Sequence, residues 1–337
     1  MAGALQGEGG LTMRIVLASI AIMLACVLAG LAYGDFALSV ADLLRALFRS
    51  PDAPPQALMI VWSIRLPRVL LAVLVGMALA VAGAIAQAVL RNPLADPGII
   101  GINSGAALAA MVVLVGLDDV SPAILPVAGF AGASAMVAAI FLLSWNNGTS
   151  SLRLLLIGIG LGALASAATT FLTAVGDIGD VQRAMVWMAG SLFDSNWTKV
   201  AVLAAWSAPV MVAAWLVSHH LDATLLGDGI AANLGQRVQL TRTLLILGCT
   251  LLSGAAVAAA GLVSFVGLLA PHIARRLVGP LHRALLPVAA LTGGTLVVIA
   301  DVASRMVIAP AQLPVGLTIA LVGAPFFGWL MWNRRNA

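Results

Sequence analysis

Charged residues are scarce in this sequence of 337 residues. They make up 9% of the chain, whereas about a quarter of the residues in soluble domains are charged. Hydrophobic residues account for 62%, and the mean hydropathy is +1.08. This composition excludes a soluble protein and predicts a chain embedded in a lipid bilayer.

Lysine is almost absent, since Lys199 is the only one in the chain. An ATP-hydrolysing site needs a glycine-rich loop that cradles phosphates and that ends in a lysine. Lys199 follows Trp197 and Thr198, with no glycine loop before it. The sequence therefore excludes an ATPase site in this chain, and transport driven by ATP would require a separate ATPase subunit.

Residues that hold metals or perform catalysis are also few. Cys26 and Cys249 lie in apolar runs without a His or Cys neighbour, which predicts packing thiols and neither a disulfide nor a metal site. The Gly-x-Ser-x-Gly string of a serine hydrolase does not occur. The 17 basic residues lie mostly at predicted helix ends, which favours a role in membrane orientation over nucleic-acid binding. We predict no enzyme activity, no cofactor and no nucleic-acid partner.

Apolar runs of about 20 residues recur along the chain, and each could cross about 30 Å of hydrocarbon as a helix. We predict an all-α polytopic bundle of about ten spans, with a short extra helix near residues 181–190. The run from Ile15 to Leu31 is longer than the apolar core of a signal peptide, so we predict that it is a retained helix. The predicted spans are 14–33, 69–90, 98–116, 122–144, 154–175, 200–217, 242–260, 262–277, 285–305 and 314–332.

The spans form a single transmembrane domain over residues 14–332, with tails at 1–13 and 333–337. Two loops are long, at residues 34–64 and 218–241, and each is a candidate contact surface. An even number of spans places both tails on one side. If that side is the cytoplasm, ten basic residues face it and seven face outward, which is a modest positive-inside bias. We therefore predict cytoplasmic termini and a location in an inner membrane.

Glycine spacing carries two further predictions. Gly76 and Ala80 are four residues apart, a spacing that lets helix backbones approach closely. The segments 76–83 and 254–261 repeat one glycine spacing and lie five spans apart, so they would have opposite directions in the membrane. Inverted repeats of this kind occur in transporters, although Ala- and Gly-rich helices also match by chance.

A carrier coupled to an ion gradient is the main alternative to an ATP-driven transporter. Such carriers place carboxylates or histidines in mid-membrane. Asp301 is the only acid deep in a long apolar run, and Arg305 follows one helical turn later, which favours a local ion pair over a proton relay. His272 lies at a predicted helix end, and the other histidines lie in predicted loops without metal-ligand spacing. The sequence therefore favours transport driven by another subunit.

Three polar segments are not explained by helix packing. The segment 65–68 places two arginines on a proline-stiffened helix start, suited to bind carboxylates of a partner or to anchor the helix at the membrane surface. Residues 91–98 form a polar turn with two prolines, and irregular backbone in a membrane must face protein or a cavity, which favours a pore-lining turn. Residues 225–235 form a short amphipathic stretch suited to dock on a cytosolic subunit.

At these segments the chain resembles the permease subunits of type II ABC importers for iron-siderophores, haem and cobalamin. The resemblance covers about residues 60–332. It implies two permease subunits, identical or paralogous, that flank one path, with two cytosolic ATPase subunits below and a periplasmic or lipid-anchored substrate-binding protein above. The strings that carry it are RLPR at 65–68, QAVLRNPLADPGIIGINSGA at 87–106, WMAGSLFDSNW at 187–197, LLGDGIAANLG at 225–235, SFVGLLAPHIAR at 264–275 and LPVGLTIALVGAPFF at 313–327.

The resemblance also implies roles for individual residues, and it makes the fifth and tenth spans line the path. Members of the family often carry two acids after the glycine of the 225–235 segment, whereas this chain has Asp228 followed by Gly229. The residues expected to receive glutamates of the binding protein are Arg65, Arg68 and Arg305. The expected cytoplasmic gate consists of Asn92, Leu94, Ser151 and Leu152. The residues expected to couple to the ATPase are Leu226, Gly227, Asp228, Ala231, Leu234 and Gly235.

The expected cargo is a ferric siderophore, moved across the membrane by alternating access. The stretches 187–197 and 225–235 look most like the ferric-citrate and catecholate branch of the family. Haem and cobalamin permeases share the same scaffold, so an importer of haem or cobalamin is the alternative.

Overall fold

The computed structural model of the chain describes residues 2–34, 36–117, 121, 123–308 and 311–334. These residues form an α-helical bundle, so the predicted all-α class is confirmed. In chain order the α-helices are α1 (Ala2–Ala32), α2 (Val40–Leu47), α3 (Pro55–Met59), α4 (Leu66–Val89), α5 (Ile102–Gly116), α6 (Ile124–Ser144), α7 (Ser151–Val175), α8 (Ile178–Met188), α9 (Trp197–Leu216), α10 (Ser218–Leu225), α11 (Asp228–Asn233), α12 (Val238–Ala260), α13 (Val266–Val278), α14 (His282–Met306) and α15 (Val315–Arg334). A π-helical segment (Ile60–Arg65) precedes α4, and a 3₁₀-helix (Pro97–Ile100) precedes α5.

Each of the ten predicted spans overlaps a helix, and the predicted extra helix is α8. Within the described residues, seven helices are long and apolar enough to cross a membrane. The other three predicted spans correspond to α5, to α13 and to the apolar part of α15, Val315–Trp329, which are shorter. The structure therefore supports a multi-span bundle, while the count of ten stays a prediction. The predicted C-terminal tail lies mostly outside the described residues.

The prediction of a long loop at residues 34–64 is wrong for much of that segment. The hydroxyl of Ser39 accepts a hydrogen bond from the backbone N–H of Asp42 at 3.1 Å, which caps the start of α2. Pro55 occupies the first position of α3, where its missing N–H costs nothing. The π-helical segment then joins α3 to α4, so that Pro55–Val89 is one continuous helix of 35 residues. The predicted loop at 218–241 likewise contains α10 and α11.

Helix α4 is the centre of the bundle and packs against α12, α13 and α14. A methyl group added to Gly76 would overlap the backbone of Gly293 on α14, and one added to Gly83 would overlap the backbone of Gly267 on α13. Only glycine permits such close backbone approach. The most apolar window of the continuous α3–α4 helix is 83% buried, whereas the corresponding windows of α7 and α9 are each 17% buried. Helix α4 is therefore enclosed by protein, while α7 and α9 face lipid or another chain.

Candidate functional site

Asp301 binds two arginines near the start of α4. Its Oδ1 accepts a hydrogen bond from Nε of Arg68 at 2.8 Å, and its Oδ2 lies 3.1 Å from a guanidinium nitrogen of Arg305. The predicted local ion pair between Asp301 and Arg305 is thus confirmed. Arg68 also donates to the side-chain oxygen of Gln312 at 2.8 Å. We call Arg65, Arg68, Asp301, Arg305 and Gln312 the Asp301 cluster.

Arg65 and Arg305 bind the carbonyl end of α1. Arg65 donates to the carbonyl oxygens of Leu31 at 2.6 Å and Ala32 at 3.0 Å, and also to that of Phe36. Arg305 donates to the carbonyl oxygens of Tyr33 at 2.9 Å and Gly30 at 3.3 Å. The last carbonyls of a helix lack partners within the helix and carry partial negative charge, so cations stabilise them.

All three arginines of the Asp301 cluster are buried and are held by their own chain. The sequence indicates only positive charge at a helix start; the structure adds that this charge holds the end of α1 against α4 and α14. A role of the three arginines in binding-protein docking stays a prediction.

The proline turn follows the other end of α4. Arg91 has a positive φ of 49°, which reverses the chain after the last helical turn. The side-chain oxygen of Asn92 accepts a hydrogen bond from the backbone N–H of Leu94 at 2.9 Å, and Asp96 caps the 3₁₀-helix through the N–H of Gly98 at 2.8 Å. These side-chain bonds give the turn a defined shape without helical hydrogen bonds.

The structure brings the two halves of the predicted gate to one end of the bundle. The hydroxyl of Ser151, at the start of α7, donates to the carbonyl oxygen of Val89 at 2.6 Å. Val89 is the last residue of α4, and the turn with Asn92 and Leu94 follows it. The next residue of α7, Leu152, is exposed. The geometry therefore places the four residues where they could act together, and their gating role stays a prediction.

Asp228, at the start of α11, also binds two arginines. Its Oδ1 accepts hydrogen bonds from Nη2 of Arg91 at 2.8 Å and from Nη2 of Arg242 at 2.6 Å. Arg242, on α12, donates as well to the carbonyl oxygen of Thr149 in the connection between α6 and α7. The side chain of Gln239 accepts from the N–H of Thr149 at 2.9 Å. We call Arg91, Thr149, Asp228, Gln239 and Arg242 the Asp228 cluster.

Helix α11 is bounded by two glycines with positive φ, Gly227 at 99° and Gly235 at 83°. These conformations favour glycine and fix the short helix between two sharp turns. Ala231 is buried, whereas Leu226, Ile230 and Leu234 are exposed at four-residue spacing. The predicted coupling segment thus has an exposed apolar stripe, with Ile230 and Leu234 one helical turn apart at α11 and Leu226 in the turn before it, as a docking segment requires.

A second contact fixes the region between α9 and α12, and the sequence did not indicate it. Asp222 on α10 accepts hydrogen bonds from the backbone N–H of His282 at 2.9 Å and lies 2.6 Å from Nδ1 of its ring. Burial opposes ionisation of the Asp222 carboxyl, but the bonds from His282 outweigh burial and hold the pKa of Asp222 below its ordinary value. The two residues are 60 positions apart, so no local pattern could pair them.

The described part of the chain contains no group of three or more His, Cys, Asp or Glu side chains that could hold a metal ion. Helix α7, the fifth predicted span, exposes a face of small residues: Gly160, Ala163, Ala167 and Thr170. These residues recur at three- and four-residue steps and so share one side of the helix. That this face lines the path stays a prediction.

Comparisons with known proteins give one family. The model of the FecCD transport family matches residues 22–333. The achromobactin transport system permease protein CbrC of Dickeya dadantii is 42% identical over 318 residues, which cover 94% of this chain and 90% of the relative. The hemin transport system permease protein HmuU of Yersinia pestis is 43% identical over 287 residues, with 82% of this chain and 84% of the relative covered.

A solved structure has the same fold. It is an inward-facing protein assigned as a metal-chelate type ABC transporter, with a TM-score of 0.84 at 30% identity, and the match covers 95% of this chain and 99% of that one. Since the family model and both relatives extend over most of the sequence, the chain belongs to the FecCD transport family and is a multi-pass permease of the bacterial inner membrane.

Proposed function

We propose that this chain is the permease subunit of an ATP-driven importer that moves a ferric siderophore inward by alternating access. The observation that carries the proposal is the arrangement along α4, where an arginine cluster lies at one end and the gate turn and docking helix lie at the other. Relatives whose names give siderophore transport and hemin transport support the cargo class. ATP hydrolysis would occur on a separate subunit.

The proposed orientation places both termini and the Asp228 cluster in the cytoplasm, with about ten spans. The modest excess of basic residues on that side supports it. In this orientation the exposed stripe of Leu226, Ile230 and Leu234 faces a cytosolic ATPase. Two permease subunits, identical or paralogous, would bring the exposed faces of their α7 helices together around the path.

In the proposed assembly the Asp301 cluster faces the periplasm, where a periplasmic or lipid-anchored substrate-binding protein docks. Because Arg65 and Arg305 hold the end of α1, they would shape the docking surface by fixing residues 30–36 as well as by their positive charge. Carboxylates of the binding protein would be attracted to this end of the bundle. Under this proposal the predicted docking residues still serve docking, and they are buried because they hold the end of α1.

The function can be tested by uptake in proteoliposomes that contain this chain, its cognate ATPase and its binding protein. Four radiolabelled cargoes should be compared: ferric citrate, a ferric catecholate, a ferric hydroxamate and hemin. We expect ATP-dependent uptake of a ferric chelate, abolished when ATP is omitted and unchanged when an ionophore collapses the proton gradient.

Each other outcome of this experiment identifies an alternative. Uptake of hemin alone would replace the siderophore by haem as cargo. Uptake that needs the ion gradient and not ATP would overturn the importer proposal in favour of a secondary carrier. An empty-liposome control and a complex with a catalytically inactive ATPase set the background.

A further inference from the structure

The Asp228 cluster links the docking helix α11 to two separate parts of the permease through one carboxylate oxygen. Arg91 lies in the proline turn, directly before the proposed gate residue Asn92. Arg242 belongs to α12 and reaches the α6–α7 connection at Thr149, two residues before Ser151. Each half of the proposed gate therefore begins within two residues of a residue in this cluster.

The two bonds of Asp228 have unequal environments. The Arg242 side chain is 1% exposed, and its Nε has no hydrogen-bond partner among the described residues, so this buried cation depends on the Asp228 carboxylate. Removing one partner of a buried ion pair leaves an uncompensated charge, which is strongly unfavourable. The bond between Asp228 and Arg242 is therefore the permanent one.

The bond between Asp228 and Arg91 is more exposed to solvent than the bond between Asp228 and Arg242. The Arg91 side chain is 32% exposed and that of Asp228 is 39% exposed, and exposed ion pairs contribute little to stability. The Arg91 guanidinium passes over Gly227, where a Cβ would lie 3.3 Å from its Nη1. A small displacement of α11 can therefore break this bond while the bond to Arg242 survives.

We propose that the Arg91–Asp228 ion pair is a latch that holds the proline turn of the gate against α11 and opens when the ATPase displaces α11. Arg91 and Asp228 are positioning residues in this mechanism, because neither has to touch the cargo. Arg242 holds Asp228 in place through each cycle. The inference rests on the proposed function, in which α11 contacts the ATPase.

The test is the variant Arg91→Gln in the complete transporter, because it removes only the weaker bond. The assay measures ATP hydrolysis and uptake of radiolabelled ferric citrate, or of whichever cargo in the four-member panel the wild type takes up best. We expect ATP hydrolysis and co-purification of the ATPase to persist. Cargo moved per ATP should fall on the order of fivefold, the population shift that corresponds to loss of one weak ion pair.

Two further variants control for charge and for folding. Arg237→Gln removes a positive charge that directly precedes α12, the helix of Arg242. Arg237 is exposed and forms no ion pair with a described residue, so this variant should leave cargo per ATP unchanged. Arg91→Lys keeps the charge and should restore most of the coupling. All variants should be matched for thermal stability in detergent.

The outcomes separate the latch from the proposed function. Wild-type cargo per ATP in Arg91→Gln would overturn the latch and leave the importer intact. Loss of ATPase co-purification in Arg91→Gln would also overturn it, because Arg91 would then be a docking residue. Absence of ATP-driven uptake by the wild type would overturn the proposed function and this inference with it.

Discussion

At the start of α4, Asp301 is 1% exposed and lies between two buried arginines, whereas beyond the end of α4 Asp228 is 39% exposed and binds one buried and one partly exposed arginine. In each cluster one aspartate binds two arginines. Their difference in burial assigns different tasks to them, because a buried ion pair resists rearrangement and a solvated one exchanges readily. We therefore expect the Asp301 cluster to stay intact and the bond between Arg91 and Asp228 to break and re-form.

The largest expected effect tests the permanence of the Asp301 cluster. Asp301→Asn would leave Arg68 and Arg305 without their shared carboxylate in a buried site, so we expect a loss of about 3–5 kcal/mol in the free energy of unfolding. Thermal unfolding of the detergent-solubilised protein measures it. The matched control is Asp180→Asn, which breaks the more exposed pair with Arg183 and should cost about 1 kcal/mol or less. Equal losses in the two variants would contradict the contrast in burial.

An intermediate effect is expected for the contact between Asp222 and His282. Asp222→Asn removes charge-assisted hydrogen bonds and should destabilise the protein by about 1–3 kcal/mol at neutral pH. The folded-state pKa of Asp222 lies below the unfolded value, so its contribution is present above about pH 4 and is lost as the pH falls through the folded-state pKa. Unfolding curves should therefore converge for the wild type and the variant in acid. A difference that persists there would assign the effect to packing.

The smallest expected effect concerns the adjacent rings of His219 and His220, whose centroids are 4.0 Å apart. Burial lowers the pKa of His220, and the charge of His219 lowers it further. Since the unfolded chain binds this proton more readily, stability declines as the pH falls below about 6.5. His219→Gln should make that decline shallower without changing stability at pH 8. A steeper decline in the variant would show that repulsion between the two rings does not contribute to the loss of stability at low pH.

Much of the fold was predictable because a helix that crosses a lipid bilayer needs a long run of apolar residues. Long apolar runs predict helices, and each of the ten predicted spans falls on one. The prediction of a loop at residues 34–64 failed because α2 and α3 are too short to produce an apolar run. These helices depend on a serine cap and on a proline at the helix start. Hydropathy also does not reveal that α4 is enclosed by protein and α7 is not, since the enclosed helix is the more apolar of the two and reads as the better candidate for contact with lipid.

The candidate site was predictable only where its partners are close in sequence. Asp301 and Arg305 are one turn apart, and their ion pair follows from helix geometry. Arg68 lies 233 residues from Asp301, and Arg91 lies 137 residues from Asp228, so the bonds between them depend on how the helices pack. Arg242 shows the same limit: in sequence it is a charge at a helix start, and in the structure it is a buried support for Asp228.

The backbone contact between Gly83 on α4 and Gly267 on α13 has a consequence for biogenesis. About 180 residues separate the two glycines, and synthesis at about 5–20 residues per second takes on the order of 10–40 s to cover that distance. During this interval α4 is already in the membrane, but the helices that will enclose it do not yet exist. Its glycine face must then be covered by lipid or by an insertion factor. Helix α4, the most enclosed span of the finished permease, is therefore without its enclosing helices during much of the time in which the protein is made.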